Sequence, residues 1–113
     1  MHRYLLSFQN DGNLVLYGGA GRVLWATGTN ADLLAVQSDG NVVLYERGAP
    51  VWATNTEGNP GALLAIQTDG NVVVYTRSGR PIFATNTQGG QSQTRSAARD
   101  WNRRRNRYLR IAE

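Results

Sequence analysis

Apolar and polar residues alternate in short runs along the first 90 positions, and glycine-containing clusters break the runs. Leu33-Leu34-Ala35-Val36-Gln37 and Asn41-Val42-Val43-Leu44-Tyr45 are rich in β-branched and aromatic residues and flank Ser38-Asp39-Gly40. This pattern predicts two strands joined by a tight loop. A three-residue loop ending in glycine is the form of a hairpin with a type I turn and a bulge, glycine taking the left-handed position. The register that follows pairs Gln37 with Asn41, Ala35 with Val43 and Leu33 with Tyr45. Cross-strand partners share a face. One face therefore carries Leu33, Ala35, Gln37, Asn41, Val43 and Tyr45. The other carries Leu34, Val36, Val42 and Leu44 and is expected to face inward. A slip of one residue would carry Gln37 and Asn41 onto the apolar face, so the pattern fixes the register.

The same unit occurs three times. Phe8-Gln9-Asn10-Asp11-Gly12-Asn13-Leu14-Val15-Leu16-Tyr17 aligns with Val36 to Tyr45 and with Ile66-Gln67-Thr68-Asp69-Gly70-Asn71-Val72-Val73-Val74-Tyr75, at offsets of 28 and 30 residues. A second echo follows each copy: Leu24-Trp25-Ala26-Thr27-Gly28-Thr29, Val51-Trp52-Ala53-Thr54-Asn55-Thr56 and Ile82-Phe83-Ala84-Thr85-Asn86-Thr87. In the first copy Leu6, Phe8, Leu14 and Leu16 are expected inside, and in the third Leu64, Ile66, Val72 and Val74. Turn signals such as Gly18-Gly19-Ala20-Gly21, Gly48-Ala49-Pro50 and Ser78-Gly79-Arg80-Pro81 lead into the Trp/Phe segment, which gives at least three strands per unit. A unit of this size cannot bury a core alone, so three must share one.

Composition narrows the function. The chain has 113 residues, enough for one domain, and hydrophobic residues make up 41%. No apolar run approaches the roughly 18 residues of a membrane span. There is no cysteine, so neither a disulfide nor a thiolate metal site holds the fold. The net charge of +4 divides unevenly: residues 1–90 carry −1 and residues 91–113 carry +5. All the basic residues are arginine, a bias that fits a GC-rich genome better than a functional choice. The two expected regions are a three-repeat domain over 1–90 and a basic C-terminal tail over 91–113.

The outward face has the chemistry of a sugar site. Gln37 and Asn41 offer amide donors and acceptors, Asp39 offers acceptors only, and Tyr45 offers a phenol. Val43 supplies an apolar patch, and the small Ala35 opposite it, matched by Ser7 and Ala65, leaves a shallow depression. A sugar needs mixed donors and acceptors for its hydroxyls and a small apolar surface for its C–H face. Such a site discriminates by leaving polar groups unpaired when a hydroxyl points the wrong way. Turn chemistry alone explains Asp-Gly-Asn in one copy. It does not explain the glutamine, nor the joint recurrence of Gln, Asp, Asn, Val and Tyr. An enzyme is not expected: glycoside hydrolysis needs two carboxylates in unequal environments, and each unit has one Asp. The single histidine, His2, sits near a terminus, and Asp-Gly-Asn lacks the spaced acids of a calcium loop. No catalytic residue, metal site or cofactor is predicted.

At these residues the sequence resembles the monocot mannose-binding lectins, also called bulb-type or snowdrop-agglutinin-like lectins. Their sugar-site signature, Gln-x-Asp-x-Asn-x-Val-x-Tyr, is intact in all three copies, and the resemblance covers about residues 4–90. It implies an all-β fold, the β-prism II, with three antiparallel sheets around a pseudo-threefold axis and Trp25, Trp52 and Phe83 meeting at the centre. It also implies the ligand roles. Asp and Asn bind the axial 2-hydroxyl of mannose, Gln the 3-hydroxyl and Tyr the 4-hydroxyl, while Val packs on the ring carbons. The first site is then Gln9, Asp11, Asn13, Val15 and Tyr17. The second is Gln37, Asp39, Asn41, Val43 and Tyr45, and the third Gln67, Asp69, Asn71, Val73 and Tyr75. Two departures stand out. Members usually begin with a Leu-x-x-Gly-x-x-Leu strand segment before the first site, so something else must cover that sheet edge. The third central aromatic is Phe83 where members tend to carry Trp.

The expected function is a lectin for mannose or mannose-rich glycans. The alternative is a lectin-type interaction or bacteriocin-like module whose basic tail contacts a target surface. Residues 88–98 read as a linker. For 99–113 three readings stay open: a strand filling the open edge in its own chain or a partner's, a short amphipathic helix capped by Ser96 or Asp100, or a basic arm. An arginine run is usually a solvated stretch, so nucleic-acid binding is not expected. Exposed sheet edges favour a homodimer by strand exchange. The N-terminus shows no charged-then-apolar leader, which fits either a cytosolic protein or a mature secreted form.

Overall fold

The repeats fold as three three-stranded antiparallel sheets, in a computed structural model that describes residues 3–93. The first sheet holds β1 (Leu5–Phe8), β2 (Leu14–Tyr17) and β3 (Val23–Ala26). The second holds β4 (Leu33–Val36), β5 (Val42–Glu46) and β6 (Ala49–Ala53). The third holds β7 (Leu63–Ile66), β8 (Val72–Tyr75) and β9 (Pro81–Ala84). Strand order follows chain order in every sheet, so β2, β5 and β8 are central. Single 3-10 turns at Gly19–Gly21 and Gln88–Gly90 are the only helical segments among the described residues. The architecture is all-β, as expected. No helix among the described residues is long and apolar enough to cross a membrane. The readings of the tail beyond Gln93 fall outside the described residues.

The first hairpin of each unit has the expected register. Leu33 pairs with Tyr45, Leu34 with Leu44, Ala35 with Val43 and Val36 with Val42, and the other two sheets match residue for residue. The Gln37 N–H donates to the Asn41 carbonyl at 2.8 Å and the Gly40 N–H to the Gln37 carbonyl at 3.1 Å, closing the bulged three-residue loop. Gly12, Gly40 and Gly70 hold φ of 86°, 95° and 94°, in the region that favours glycine. A second reason for glycine comes from packing. The link leaving each unit crosses directly over the loop, so a Cβ on Gly40 would lie 2.3 Å from the Asn59 carbonyl oxygen. One on Gly12 would lie 2.4 Å from the Ala31 nitrogen.

Between the second and third strands the register slips by one residue in every sheet. Leu16 pairs with Trp25 but Tyr17 pairs with Val23, and the same bulge falls at Val51 and at Ile82. A bulge breaks the period of two, which lets neighbouring residues face the same way. Leu24 and Trp25 are accordingly both buried, and Val51 and Ile82 pack against the core beside Trp52 and Phe83. Pro50 and Pro81 lie on the outer strands next to the bulge, where no ladder donor is needed. The sequence shows these paired apolar residues but not the bulge.

The core is the shared interior of the three sheets. Leu6, Leu14, Leu16, Leu24, Val42, Leu44, Val72 and Val74 are almost fully buried. Trp52 meets Trp25 edge-on at a centroid distance of 6.1 Å and Phe83 at 6.0 Å, a favourable aromatic geometry. Two residues expected inside are not: Val36 is 54% and Ile66 38% exposed. Both end an edge strand at the loop, beyond the cover of the neighbouring sheet. Phe8, at the equivalent position, is bulkier and packs partly against the core.

The third hairpin is covered both by the link that follows it, whose Gly89 N–H donates to the Asp69 carbonyl at 2.6 Å, and by the N-terminal segment. The Tyr4 ring lies over Gly70, with Cζ 2.7 Å from where a Cβ would stand. Beyond the third sheet the chain returns to the first: the Gln93 N–H donates to the Leu24 carbonyl at 2.7 Å, and Arg22 Nη2 to the Gly90 carbonyl at 2.7 Å.

Gly40 and Gly79 share φ of 95°, but a Cβ on Gly79 meets nothing within 4 Å. Gly79→Ala should therefore cost only backbone strain, about 1–2 kcal/mol. Gly40→Ala adds a backbone clash and should cost clearly more, about 3 kcal/mol or above. Urea unfolding of the two variants measures the difference.

Candidate functional site

The three candidate sites are built by the hairpin loops and the outward rows of β1/β2, β4/β5 and β7/β8. In the second, Asp39 is exposed at the loop tip, and Gln37, Asn41 and Tyr45 are half-buried on one face. The other two repeat this distribution. All five residue types of the expected set are thus brought together in each unit, with one qualification. Val15, Val43 and Val73 are only 3–4% exposed. Each lies on the central strand between two small partners: Val43 pairs with Ala35 and Ala53, Val15 with Ser7 and Ala26, Val73 with Ala65 and Ala84. The valine forms the floor of a shallow trough rather than a prominent patch.

Hydrogen bonds inside the protein fix which atoms remain for a ligand. The Asn41 N–H donates to Asp39 Oδ1 at 2.9 Å, and the same contact recurs at 2.9 Å from Asn13 to Asp11 and from Asn71 to Asp69. That leaves Oδ2 of each carboxylate as the acceptor to spare. The Gln37 amide donates through Nε2 to the Tyr45 hydroxyl at 2.7 Å, reaching across the Ala35–Val43 row. Gln9 makes the same bond to Tyr17, and Gln67 to Tyr75. Each glutamine keeps its Oε1, and each tyrosine keeps its own O–H as a donor.

The asparagines are held from beneath. Asn13 Oδ1 accepts the Gly28 N–H at 2.7 Å, Asn41 Oδ1 the Thr56 N–H at 3.1 Å, and Asn71 Oδ1 the Asn86 N–H at 2.9 Å. Their Nδ2 groups carry no protein partner among the described residues. The support is a pair of buried threonines that the sequence displayed as Thr-x-Thr without revealing its role. Thr54 Oγ1 accepts the Val42 N–H at 3.1 Å and stands 2.7 Å from Thr56 Oγ1 and 3.2 Å from Asn41 Oδ1, so its one proton is shared between them. Thr56 Oγ1 donates to the Gly40 carbonyl at 2.5 Å. Thr27 with Thr29 and Thr85 with Thr87 repeat the arrangement. The residue between the two threonines is left-handed in every copy, with φ of 70° at Gly28 and 59° at Asn55 and Asn86. Glycine and asparagine are the residues that tolerate this turn. Recurrence of Thr at alternate positions beside a Gly/Asn was the available signal.

Each unit therefore presents acceptors on Asp and Gln and donors on Asn and Tyr, over a small apolar floor. No cluster of three or more metal-ligating side chains exists among the described residues.

Comparison with solved structures places this arrangement. A lectin of Marasmius oreades is 36% identical over 79% of this chain and 77% of its own, with a TM-score of 0.71. A monomeric monocot mannose-binding lectin from Gastrodia elata is 44% identical over 75% of this chain and 81% of its own, at 0.68. A two-domain fetuin-binding lectin of Scilla campanulata, 22% identical over 75% of this chain and 51% of its own at 0.52, shares the fold alone. No protein-family model matches the chain, and neither does any curated protein. Three sheets around one core, each with the same polar outer face, define a lectin of the β-prism II class and not an enzyme. The chain belongs to the monocot mannose-binding lectin family.

The threonine support gives a clear expectation. Thr54→Val keeps the shape but leaves the Val42 N–H without its acceptor, and should lower stability by about 1–3 kcal/mol. It should also shift the Asn41 side-chain amide resonances in an NMR spectrum. Thr54→Ser keeps the hydroxyl and should change both far less.

Proposed function

We propose that the chain binds mannose and mannose-rich glycans through the three sites Gln9–Tyr17, Gln37–Tyr45 and Gln67–Tyr75, with the hydroxyl assignments that the family resemblance implies. The observation that carries the reading is the recurrence, in all three units, of one set of uncommitted atoms: Asp Oδ2, Asn Nδ2, Gln Oε1 and the Tyr O–H. Three vicinal hydroxyls, the first of them axial, suit this set, because each hydroxyl can donate to one group while accepting from the next. The Gastrodia relative is described as mannose-binding, which agrees.

The troughs are shallow, so each holds one hexose weakly, with a dissociation constant on the order of millimolar, about 4 kcal/mol. Three sites on one rigid body then act together on a branched glycan. Linked sites gain roughly 100- to 10,000-fold where their spacing matches the ligand. For assembly the reading is a homodimer by strand exchange. The Gln93–Leu24 contact brings the chain's exit alongside the outer edge of β3, where a further strand can pair. Light scattering should give twice the chain mass; a single chain mass at micromolar concentration and above would end this part of the reading.

The decisive experiment changes Asp11, Asp39 and Asp69 together to Asn. Oδ1 keeps its contact to the N–H of the site asparagine two residues on, while the Oδ2 position becomes an amide donor, so the fold stands and the ligand meets the wrong polarity. The single Asp39→Asn protein should be retained on mannose resin with modest weakening, and the triple variant should pass straight through. Undiminished retention of the folded triple variant overturns the assignment.

A further inference from the structure

The three sites are alike in their five residues but differ at the corners where one sheet meets the next. Each outer face carries an exposed leucine as cross-strand partner of the site tyrosine: Leu5 with Tyr17, Leu33 with Tyr45, Leu63 with Tyr75. These leucines are 60%, 53% and 60% exposed. The residue before each is Tyr4, Asp32 or Ala62, so a carboxylate stands beside the leucine in the second unit alone. Facing it across the corner is Phe8, whose counterparts at the other corners are Val36 and Ile66.

Phe8, Asp32, Leu33 and Leu34 enclose a cleft of about 380 Å³ between the first and second sheets. That volume falls at the small end of the range for ligand sites, about 300–1,000 Å³. The corresponding cleft at Tyr4 and Ile66 measures only about 150 Å³. Asp32 is anchored: its backbone N–H donates to the Tyr45 carbonyl at 2.8 Å, and its Oδ2 accepts the Arg47 N–H at 3.0 Å. Oδ1 has no protein partner among the described residues and remains an acceptor. The cleft thus joins an aromatic and aliphatic wall to one fixed carboxylate oxygen. Leu33, which lines the cleft, is also the cross-strand partner of Tyr45, so the two places are neighbours on the second sheet.

We infer that the Phe8–Asp32 cleft is a second subsite of the middle lectin site, taking the next sugar residue of a glycan whose mannose is held by Gln37, Asp39, Asn41 and Tyr45. This rests on the function proposed above. The C–H face of the second residue lies against Phe8 and Leu33, and one of its hydroxyls donates to Asp32 Oδ1. A hydroxyl-to-carboxylate bond is charge-assisted and stronger than a neutral one. The middle site therefore reads a disaccharide, where the first, whose Leu5 stands at the narrower Tyr4–Ile66 corner, reads chiefly a terminal residue.

The test isolates the middle site with Asp11→Asn and Asp69→Asn in the full chain. Methyl α-mannoside and the 1→2, 1→3 and 1→6 mannobiosides are titrated by calorimetry. At least one mannobioside should bind about 5-fold or more tighter than the monosaccharide, a gain in line with one charge-assisted hydrogen bond less its ordering cost. Leu33→Ser, at an exposed position, should bring that ratio down to the small statistical gain of a ligand with two mannose residues. Asp32→Ala should do the same, tested with Arg47→Gly so that the left-handed turn at φ 51° no longer needs the carboxylate. Both variants should leave methyl α-mannoside affinity unchanged. Equal affinity for the monosaccharide and every mannobioside, or parallel loss of both ligands in the variants, overturns the subsite alone. Failure of the unmodified chain to bind any mannoside overturns the subsite together with the function on which it rests.

Discussion

Everything on the outer surface depends on one backbone constraint, the left-handed glycine of the bulged hairpin under its covering link. Gly12, Gly40 and Gly70 have positive φ and no room for a side chain. The loop they close can have only one length. That length sets the pairing of Gln37 with Asn41, and the pairing sets which alternate residues reach solvent. Burial then follows without further instruction, because the opposite face is apolar in all three copies.

Two networks grow from that loop and share its atoms. Inward, the apolar rows meet around Trp25, Trp52 and Phe83. At the loop itself the buried threonine pairs tie the Gly carbonyl, the first ladder N–H of the central strand and the site asparagine into one set of bonds. Stability and site geometry are therefore hard to separate. A residue that looks like a structural threonine also decides which end of the Asn41 amide is engaged within the protein and which is left over.

The sequence made the hairpin register, the repeat and the polar outer face legible, because each rests on a period of two and on local turn chemistry. Other features depend on what lies across space. The bulges at Leu24, Val51 and Ile82 appear only when the third strand is docked. Val36 and Ile66 are apolar and in phase with the core, yet emerge at corners that no neighbouring sheet covers. Val43 is outward in phase but is walled in by Ala35 and Ala53. Covering of the third hairpin by Tyr4 could not be read from alternation, since the contact joins residues at opposite ends of the domain.

The internal contacts of the site have an energetic consequence. Asp39 and Asn41 are each anchored through one side-chain oxygen by a backbone N–H, and the Gln37 amide and Tyr45 phenol brace each other. A side chain already immobilised surrenders little rotational entropy when a guest arrives. Nor can it swivel to welcome an epimer whose hydroxyl points the other way. On the proposed function the surface would behave as a stencil: a feeble grip on any one ring can coexist with sharp stereochemical discrimination, because rigidity penalises misfit more than it rewards fit.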